Sequence, residues 1–204
     1  MTYEPFNPLA MDSLAESVVR RLMQSTPVPL QGIARFQGAG VYAIYYTGDF
    51  PAYEIVARQN VEGKWDLPIY VGKAVPKGGR QGLELGQDPN SAALWGRLRE
   101  HAKSIEAARN LNIEDFYVRW IVVEDIWIPL GESTLIRSTR PVWNAVVDGF
   151  GNHDPGKGRH RGKAPQWDTL HPGRPWAEKL TQRDPGEAAL IERGAIQYLR
   201  ERHN

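Results

Sequence analysis

Tyrosines dominate two short runs of the chain, and a phenol can donate a hydrogen bond or carry a proton. The runs are Gly40-Val41-Tyr42-Ala43-Ile44-Tyr45-Tyr46 and Ile69-Tyr70-Val71-Gly72-Lys73. Their β-branched and aromatic residues are typical of strands, so together they predict a small antiparallel sheet. Alternation would place Tyr42, Ile44 and Tyr46 on one face and Val41, Ala43 and Tyr45 on the other. Taken alone, such tyrosines are typical half-buried strand residues.

A long helix predicted over residues 90–109 carries an arginine and a histidine side by side. Asn90 or Ser91 can cap it, and its buried stripe comprises Leu94, Leu98, Ala102 and Ile105. Arg97 and His101 are four residues apart at the edge of that stripe, so their side chains are neighbours. On an anonymous helix, His101 would be a partly buried histidine and Arg97 a solvated charge. An arginine fork is also suited to a bidentate grip on a phosphate.

A carboxylate and an amide follow in and just beyond the next predicted helix. Pro129 suits the first turn of a helix that runs through Arg137, and Glu132 is expected in that same turn. The helix dipole favours a carboxylate there for purely structural reasons. The residues around Glu132 are mostly apolar or small, which favours a side chain that points into a site. Asn144 comes shortly after this helix.

Two glycine-rich segments are locally basic, although the whole chain carries a formal charge of only +1. Residues 73–82 hold three cations and no acid, and residues 151–163 hold four cations and one acid. Glycine allows close backbone approach, while lysine and arginine neutralise phosphates or donate to guanine edges. Solvated surface loops are the alternative interpretation. The candidate DNA-binding residues are Lys73, Lys77, Arg80, Lys157, Arg159 and Arg161.

Composition limits both the class of protein and its chemistry. A chain of 204 residues that is 41% apolar predicts one elaborated domain over residues 1–204. The absence of cysteine excludes disulfides, thiolate nucleophiles and cysteine-ligated zinc, and the five histidines lack zinc-binding spacing. No apolar run approaches the roughly 20 residues that cross a bilayer, and the start has no secretory signal. We therefore expect no membrane contact and a cytoplasmic location.

The remaining segments predict an α+β fold around a small three-stranded antiparallel sheet flanked by helices. Residues 115–124 form the clearest strand and complete the sheet. An amphipathic helix over residues 12–23, with a Ser13…Glu16 capping box, packs on its own domain or serves as a dimerisation arm. Residues 47–68 contain an extra strand or an excursion at residues 53–57. Residues 167–176 predict coil, and a terminal helix is predicted over residues 187–200.

The order of these motifs resembles that of the GIY-YIG nuclease family. Gly40-Val41-Tyr42 and Tyr70-Val71-Gly72 are similar to its two naming elements, and Arg97-x3-His101, Glu132 and Asn144 follow in the family's order. The resemblance implies a helical arm over residues 1–30, a catalytic core over 38–146, and a basic loop with a C-terminal extension over 147–204. The long spacing between the tyrosine motifs is most similar to the small type II restriction endonucleases, including one that cuts the palindrome CCGCGG.

The resemblance also implies roles and partners. The catalytic residues would be Tyr42, Tyr70, Lys73, Arg97, His101, Glu132 and Asn144. Tyr42 would take a proton from water with help from His101 or Lys73, and Glu132 would hold one Mg²⁺ per site, for which Mn²⁺ can substitute. A palindromic double-stranded DNA target implies a homodimer, at least on DNA, and a cognate methyltransferase in the host.

Two alternatives remain at this point. One is a repair or mobile-element nuclease with the same fold, although such proteins usually carry a separate DNA-binding domain. The other is a non-catalytic DNA-binding module that retains the fold. Such a module would be expected to lack Tyr42, Arg97 or Glu132, and the sequence has all three.

Overall fold

A four-stranded antiparallel sheet forms the centre of the protein. The computed structural model describes residues 10–76 and 91–203, apart from the side chains of Glu62 and Lys157. The strands are β1 (Val28–Pro29), β2 (Gly40–Tyr46), β3 (Tyr70–Ala74) and β4 (Phe116–Val122), in the spatial order β1-β4-β2-β3. The fold is α+β, as the sequence predicts, but the sheet has four strands rather than three. The additional strand is short, and proline suits it because an edge strand does not need every backbone N–H.

Helices surround the sheet, and two of them differ from the sequence prediction. The helices are α1 (Met11–Met23), α2 (Glu54–Asn60), α3 (Ala93–Ala107), α4 (Ile128–Thr139), α5 (Val142–Ala145), α6 (Gln166–Leu170) and α7 (Glu187–His203). Helix α2 occupies the segment for which a strand is one interpretation, and α6 overlaps the start of the predicted coil. In the described part of the chain, every helix is too short or too polar to cross a membrane.

Helix α1 packs against its own domain. Ala15 and Leu22 are buried, and Val18 lies over Gly131 of α4, where an added Cβ would be 2.8 Å from Val18 Cγ1. The helix begins at Met11 with Ala10 at its N-cap position, so the predicted Ser13…Glu16 capping box is wrong. Burial of an apolar stripe against a neighbouring helix explains this element without a partner subunit.

The alternation predicted for β2 is confirmed by two hydrophobic layers. Tyr42, Ile44 and Tyr46 belong to the larger layer, which includes α3 and a group of aromatic residues. The other layer contains Val41, Ala43 and Tyr45 together with residues of α1 and α4. Because both faces are covered, every residue of β2 is buried. The sheet can therefore fix the tyrosine hydroxyl groups with little freedom.

The starts of α3 and α4 also depart from expectation. The N-cap of α3 is Ala92, while the Ser91 hydroxyl accepts a hydrogen bond of 3.3 Å from the Ala93 backbone N–H; Asn90 lies outside the described residues. Pro129 does lie in the first turn of α4. Since that helix begins at Ile128, however, Glu132 is its fifth residue, and the expected place in the first turn is wrong. The helix dipole thus gives no structural reason for this carboxylate.

Candidate active site

The register of β2 and β3 places two tyrosines on the same face. Tyr42 is opposite Gly72, and Tyr70 is opposite Ile44. A Cβ at position 72 would lie 2.6 Å from Cζ of Tyr42 and 3.0 Å from Cε1 of Tyr70. Glycine is therefore required at position 72 because both phenol rings occupy the space that a side chain would fill.

Helix α3 brings His101 to the hydroxyl group of Tyr42. The Tyr42 hydroxyl and His101 Nε2 are 2.6 Å apart, and both residues are almost completely buried. Burial, followed by the nearby Arg97 and Arg174 charges, holds the pKa of His101 well below its usual range. A neutral imidazole is thus available as acceptor for the Tyr42 hydroxyl proton. The Phe150 ring stacks on His101 with 4.5 Å between centroids.

Arg97 lies one turn before His101 and meets the loop that follows α5. Its Nη2 donates a 2.6 Å hydrogen bond to the carbonyl oxygen of Gly151, and its Nη1 donates to His153 Nε2, also at 2.6 Å. A guanidinium can only donate, so Nε2 of His153 is the acceptor in this bond. Nη1 also reaches Glu100 at 3.2 Å.

The charges of Arg97 and Glu132 influence the pKa of both tyrosine hydroxyl groups. Burial raises the pKa of Tyr42 well above its usual value; Tyr70 and Glu132 raise it further, while Arg97 lowers it. Burial is also the main cause of the raised pKa of Tyr70, with Arg97 opposing it and Glu132 adding to it. Arg97 and Glu132 therefore act on the pKa of both phenols in opposite directions.

Lys73 and Glu132 approach from the opposite face of the sheet. Lys73 is opposite Val41 in β2, and its Nζ lies 2.7 Å from Oε2 of Glu132 in α4. Because β3 is an edge strand, groups from the two faces can meet around it. The site therefore straddles this edge of the sheet, and an open cleft of about 820 Å³ beside it is lined in part by Lys73 and Arg97.

Asn144 holds the backbone of β3. Its Oδ1 accepts a 2.8 Å hydrogen bond from the Val71 N–H, and its Nδ2 donates a 2.9 Å bond to the Val71 carbonyl oxygen. Val71 lies between Tyr70 and Gly72. The amide of Asn144 thus fixes the strand that carries one phenol and makes room for the other.

The geometry of these residues agrees with a family match over most of the chain. Residues 34–198 match the family model described as "Eco29kI GIY-YIG domain". The chain belongs to the GIY-YIG restriction endonuclease family. A comparison with curated proteins gives no match. The matched region contains every candidate catalytic residue and also Phe150 and Gly151, which contact His101 and Arg97.

As a GIY-YIG restriction endonuclease, the protein is a nuclease that acts on DNA. Its basic side chains are therefore candidates for contact with DNA phosphates and bases. Lys73 is at the site itself, as described above. Arg159 and Arg161 are exposed, and Arg159 lines a cleft of about 400 Å³ together with His153 and Lys163. Lys77 and Arg80 lie outside the described residues, as does the side chain of Lys157.

The site of this restriction endonuclease includes residues that the sequence prediction missed. Phe150, Gly151 and His153 contact His101 or Arg97, yet only the basic character of their loop was noted. The sequence prediction assigns no role to Arg174, which lies in the segment that predicts coil. A histidine and an aromatic residue at the start of a basic glycine-rich loop were the only available signal.

The oxygen donors of the site suit a hard divalent ion that takes most of its ligands from substrate phosphate and water. Among residues 10–76 and 91–203, no three histidine, aspartate or glutamate side chains are grouped to hold a metal ion. Glu132 supplies one carboxylate, next to Lys73 at the edge of the sheet. Magnesium favours such sites, with one or two carboxylates and the remaining ligands from substrate phosphate and water.

Proposed function

We propose that the protein is a type II restriction endonuclease that hydrolyses double-stranded DNA at a short, GC-rich palindrome by a one-metal, tyrosine-assisted mechanism. The observation that carries the proposal is the convergence of five side chains at the edge of β3. A hydrogen-bonded phenol and imidazole, an arginine fork, a second phenol and a carboxylate are the groups that phosphodiester hydrolysis needs. These are Tyr42, His101, Arg97, Tyr70 and Glu132.

Tyr42 and His101 form the route by which the attacking water loses its proton. The water gives a proton to the Tyr42 oxygen while the Tyr42 hydroxyl proton passes to His101 Nε2. Since burial opposes both a phenolate and an imidazolium, neither charged form accumulates before reaction. The hydroxide bonds to phosphorus, the bond from phosphorus to the leaving oxygen breaks, and that oxygen takes a proton from a solvent water. The imidazolium of His101 then returns its proton to solvent, which restores the neutral pair. Of the two helpers considered for Tyr42, His101 is favoured because it contacts the phenol, whereas Lys73 pairs with Glu132.

Arg97 and Tyr70 hold the scissile phosphate. In the free protein the Arg97 fork is bonded to Gly151 and His153, two groups that a bound phosphate can replace or share. Charge-assisted bonds from a guanidinium to phosphate oxygens are short and directional. Phosphate binding at Arg97 would bring the phosphorus atom near the Tyr42 hydroxyl, because Arg97 lies one helical turn before His101, which contacts that hydroxyl.

Glu132 is the residue that would hold Mg²⁺, with Mn²⁺ as a substitute. A bound divalent ion would neutralise charge on the phosphate and stabilise the departing oxygen. Lys73 balances the Glu132 carboxylate until DNA and the ion arrive. Asn144 keeps β3 in place and so supports both phenols.

DNA recognition is assigned to the cations around the cleft. Lys73 lines the larger cleft, Arg159 lines the smaller one, and Arg161 is exposed two residues further along the chain. We include Lys77, Arg80 and Lys157 from the sequence alone. Arginine and lysine read guanine through two acceptors in the major groove, which favours a GC-rich site. A palindrome is read by two-fold symmetry, so we expect a homodimer on DNA. A host methyltransferase that modifies the same site would protect the genome.

Plasmid cleavage followed by sequencing of the fragment ends tests this function. With Mg²⁺, the protein should give discrete fragments whose ends share one palindrome. The variant Glu132→Ala should still retard a DNA fragment in a gel but should fail to cut it. Cutting only of branched or damaged DNA would instead indicate a repair or mobile-element nuclease. Binding without cleavage by the wild-type protein would indicate a non-catalytic module.

A further inference from the structure

One buried arginine is bonded to most of the loop that follows α5. Arg174 is 2% exposed, and its guanidinium donates to both carboxylate oxygens of Asp168, with Nε 2.6 Å from Oδ1. The same group donates to three backbone carbonyl oxygens: Gly149 at 2.9 Å, Phe150 at 3.0 Å and Asn152 at 3.3 Å. Its planar fork lies over the rings of Trp167 and Trp176, 4.6 Å from each centroid.

That loop carries two of the groups that touch the site. The Phe150 ring stacks on His101 at an angle of 17°, and the Gly151 carbonyl oxygen accepts the 2.6 Å bond from Arg97. A side chain that fixes the carbonyl groups on both sides of Gly151 therefore sets the position of an imidazole and of a guanidinium.

We propose that Arg174 is a positioning residue for DNA cleavage, and that its guanidinium, neutralised by Asp168, holds residues 149–152 so that Arg97 and His101 are aligned. This inference rests on the proposed nuclease function. Arg174 touches neither Arg97 nor the Tyr42 hydroxyl and acts through the loop.

Stability alone is a poor explanation for this ion pair. Removing two charges from water is costly, and well-packed apolar side chains often stabilise a protein at least as well as a buried ion pair does. An apolar side chain, however, cannot donate hydrogen bonds to the three carbonyl oxygens of this loop. Lysine cannot do so either, because its three donors leave one nitrogen and lack the planar fork. The chemistry of arginine matches the loop that it holds.

Arg174 also acts on His101 electrostatically. After burial and Arg97, its charge is the next cause that lowers the pKa of that imidazole. Replacing Arg174 by lysine keeps the positive charge but removes the planar fork. The variant Arg174→Lys therefore changes the position of the loop while it preserves the electrostatic effect on His101.

The decisive comparison is Arg174→Lys against Arg119→Lys. Arg119 is also buried, and it donates to the Tyr45 hydroxyl and the Trp65 carbonyl oxygen on the other face of the sheet. Both variants should lose stability. Only Arg174→Lys should lower kcat, by about 100-fold, which is the scale expected when catalytic groups are misplaced by about 1 Å. The Kd for a DNA fragment should change less than about threefold, because the cations of the cleft remain.

A measurement without DNA keeps this inference separate from the nuclease proposal. Because the Phe150 ring stacks on His101, its ring current should shift the imidazole NMR signals of His101. Arg174→Lys should therefore move these signals, and Arg119→Lys should not. If the wild-type protein cuts no DNA, the proposed function fails while this test still applies. If Arg174→Lys does not fold, Asp168→Asn replaces it and should show the same pattern with a smaller loss. Unchanged His101 signals, or equal kcat losses at Arg174 and Arg119, would overturn the inference.

Discussion

Lys73 Nζ lies 2.7 Å from Oε2 of Glu132, and this ion pair joins β3 to α4 at the edge of the sheet where the phenols meet. The carboxylate assigned to the metal ion thus already faces a cation in the free protein. A divalent ion must weaken that pair or share the carboxylate. The pair keeps Glu132 at the site and at the same time competes with the ion.

Replacing Lys73 by methionine should strengthen metal binding to the free protein. A partly exposed ion pair contributes about 0.2–1 kcal/mol, so its loss should tighten Mn²⁺ binding by up to about fivefold. Titration of free Mn²⁺ by electron paramagnetic resonance measures this directly. Glu132→Gln should abolish the same binding. An unchanged Mn²⁺ affinity in Lys73→Met would contradict the assignment of the ion to Glu132.

Gly72→Ala should damage both stability and cleavage. Its Cβ would lie 2.6 Å from Cζ of Tyr42, so the phenol must move. Such overpacking costs about 1–3 kcal/mol, and misplacing the hydroxyl should lower kcat by about 100-fold. Gly194→Ala in α7 is the matched control because its Cβ meets only Val146 Cγ1, at 3.9 Å. The control should be as active as the wild type and more stable by up to about 1 kcal/mol.

Much of the sheet could be predicted from the sequence because strand alternation is a local property. The faces of Tyr42 and Tyr45 follow from their spacing alone, and β4 follows from a run of β-branched and aromatic residues. Residues 53–57 have similar composition but form the N-cap and the first turn of α2, since a short apolar run fits a strand and a helix equally well. Contacts decided this case: Tyr53 is fully buried, with its hydroxyl 2.7 Å from His171 Nε2.

Part of the candidate site could likewise be predicted from the sequence, and part of it could not. The order of Tyr42, Arg97 and Glu132 in the sequence pointed to a site, and the fold brings these residues to one edge of the sheet. The role of Arg174 could not be predicted because three of its partners are backbone carbonyl oxygens more than 20 residues away, and every residue type has a backbone carbonyl group. The roles of Tyr42, Arg97, Glu132 and Arg174 in cleavage stay predictions until variants of these residues are measured.

Asn144→Ala and Asn60→Ala should have similar costs in stability but different effects on cleavage. Each side chain bonds to backbone N–H and carbonyl groups, Asn144 at Val71 and Asn60 at Tyr46 and Leu67. Each variant leaves these groups unpaired and should lower the free energy of unfolding by about 1–3 kcal/mol. Only Asn144 fixes β3, so only its variant should lower kcat per folded molecule. Equal kcat in both variants would mean that Asn144 is purely structural.

Acid should destabilise the protein through its buried histidines, and His171 allows the effect to be measured. Burial lowers the pKa of His171 to about 3, against about 6.5 in an unfolded chain. Below pH ~6.5 the unfolded state therefore binds a proton that the folded state excludes, so the free energy of unfolding falls as the pH falls. Above that pH the histidine is neutral in both states and causes no loss of stability. By pH ~5 the loss from His171 alone should reach about 2 kcal/mol.

Urea unfolding at pH 7.5 and pH 5 checks this for His171→Gln and Tyr53→Phe. The first variant lacks the titrating group, so the fall in its unfolding free energy between the two pH values should be smaller by about 2 kcal/mol than in the wild type. The second variant removes the hydroxyl partner but keeps the imidazole buried, and should retain the wild-type dependence. If His171→Gln loses as much stability on acidification as the wild type does, His171 is not the group that takes up the proton.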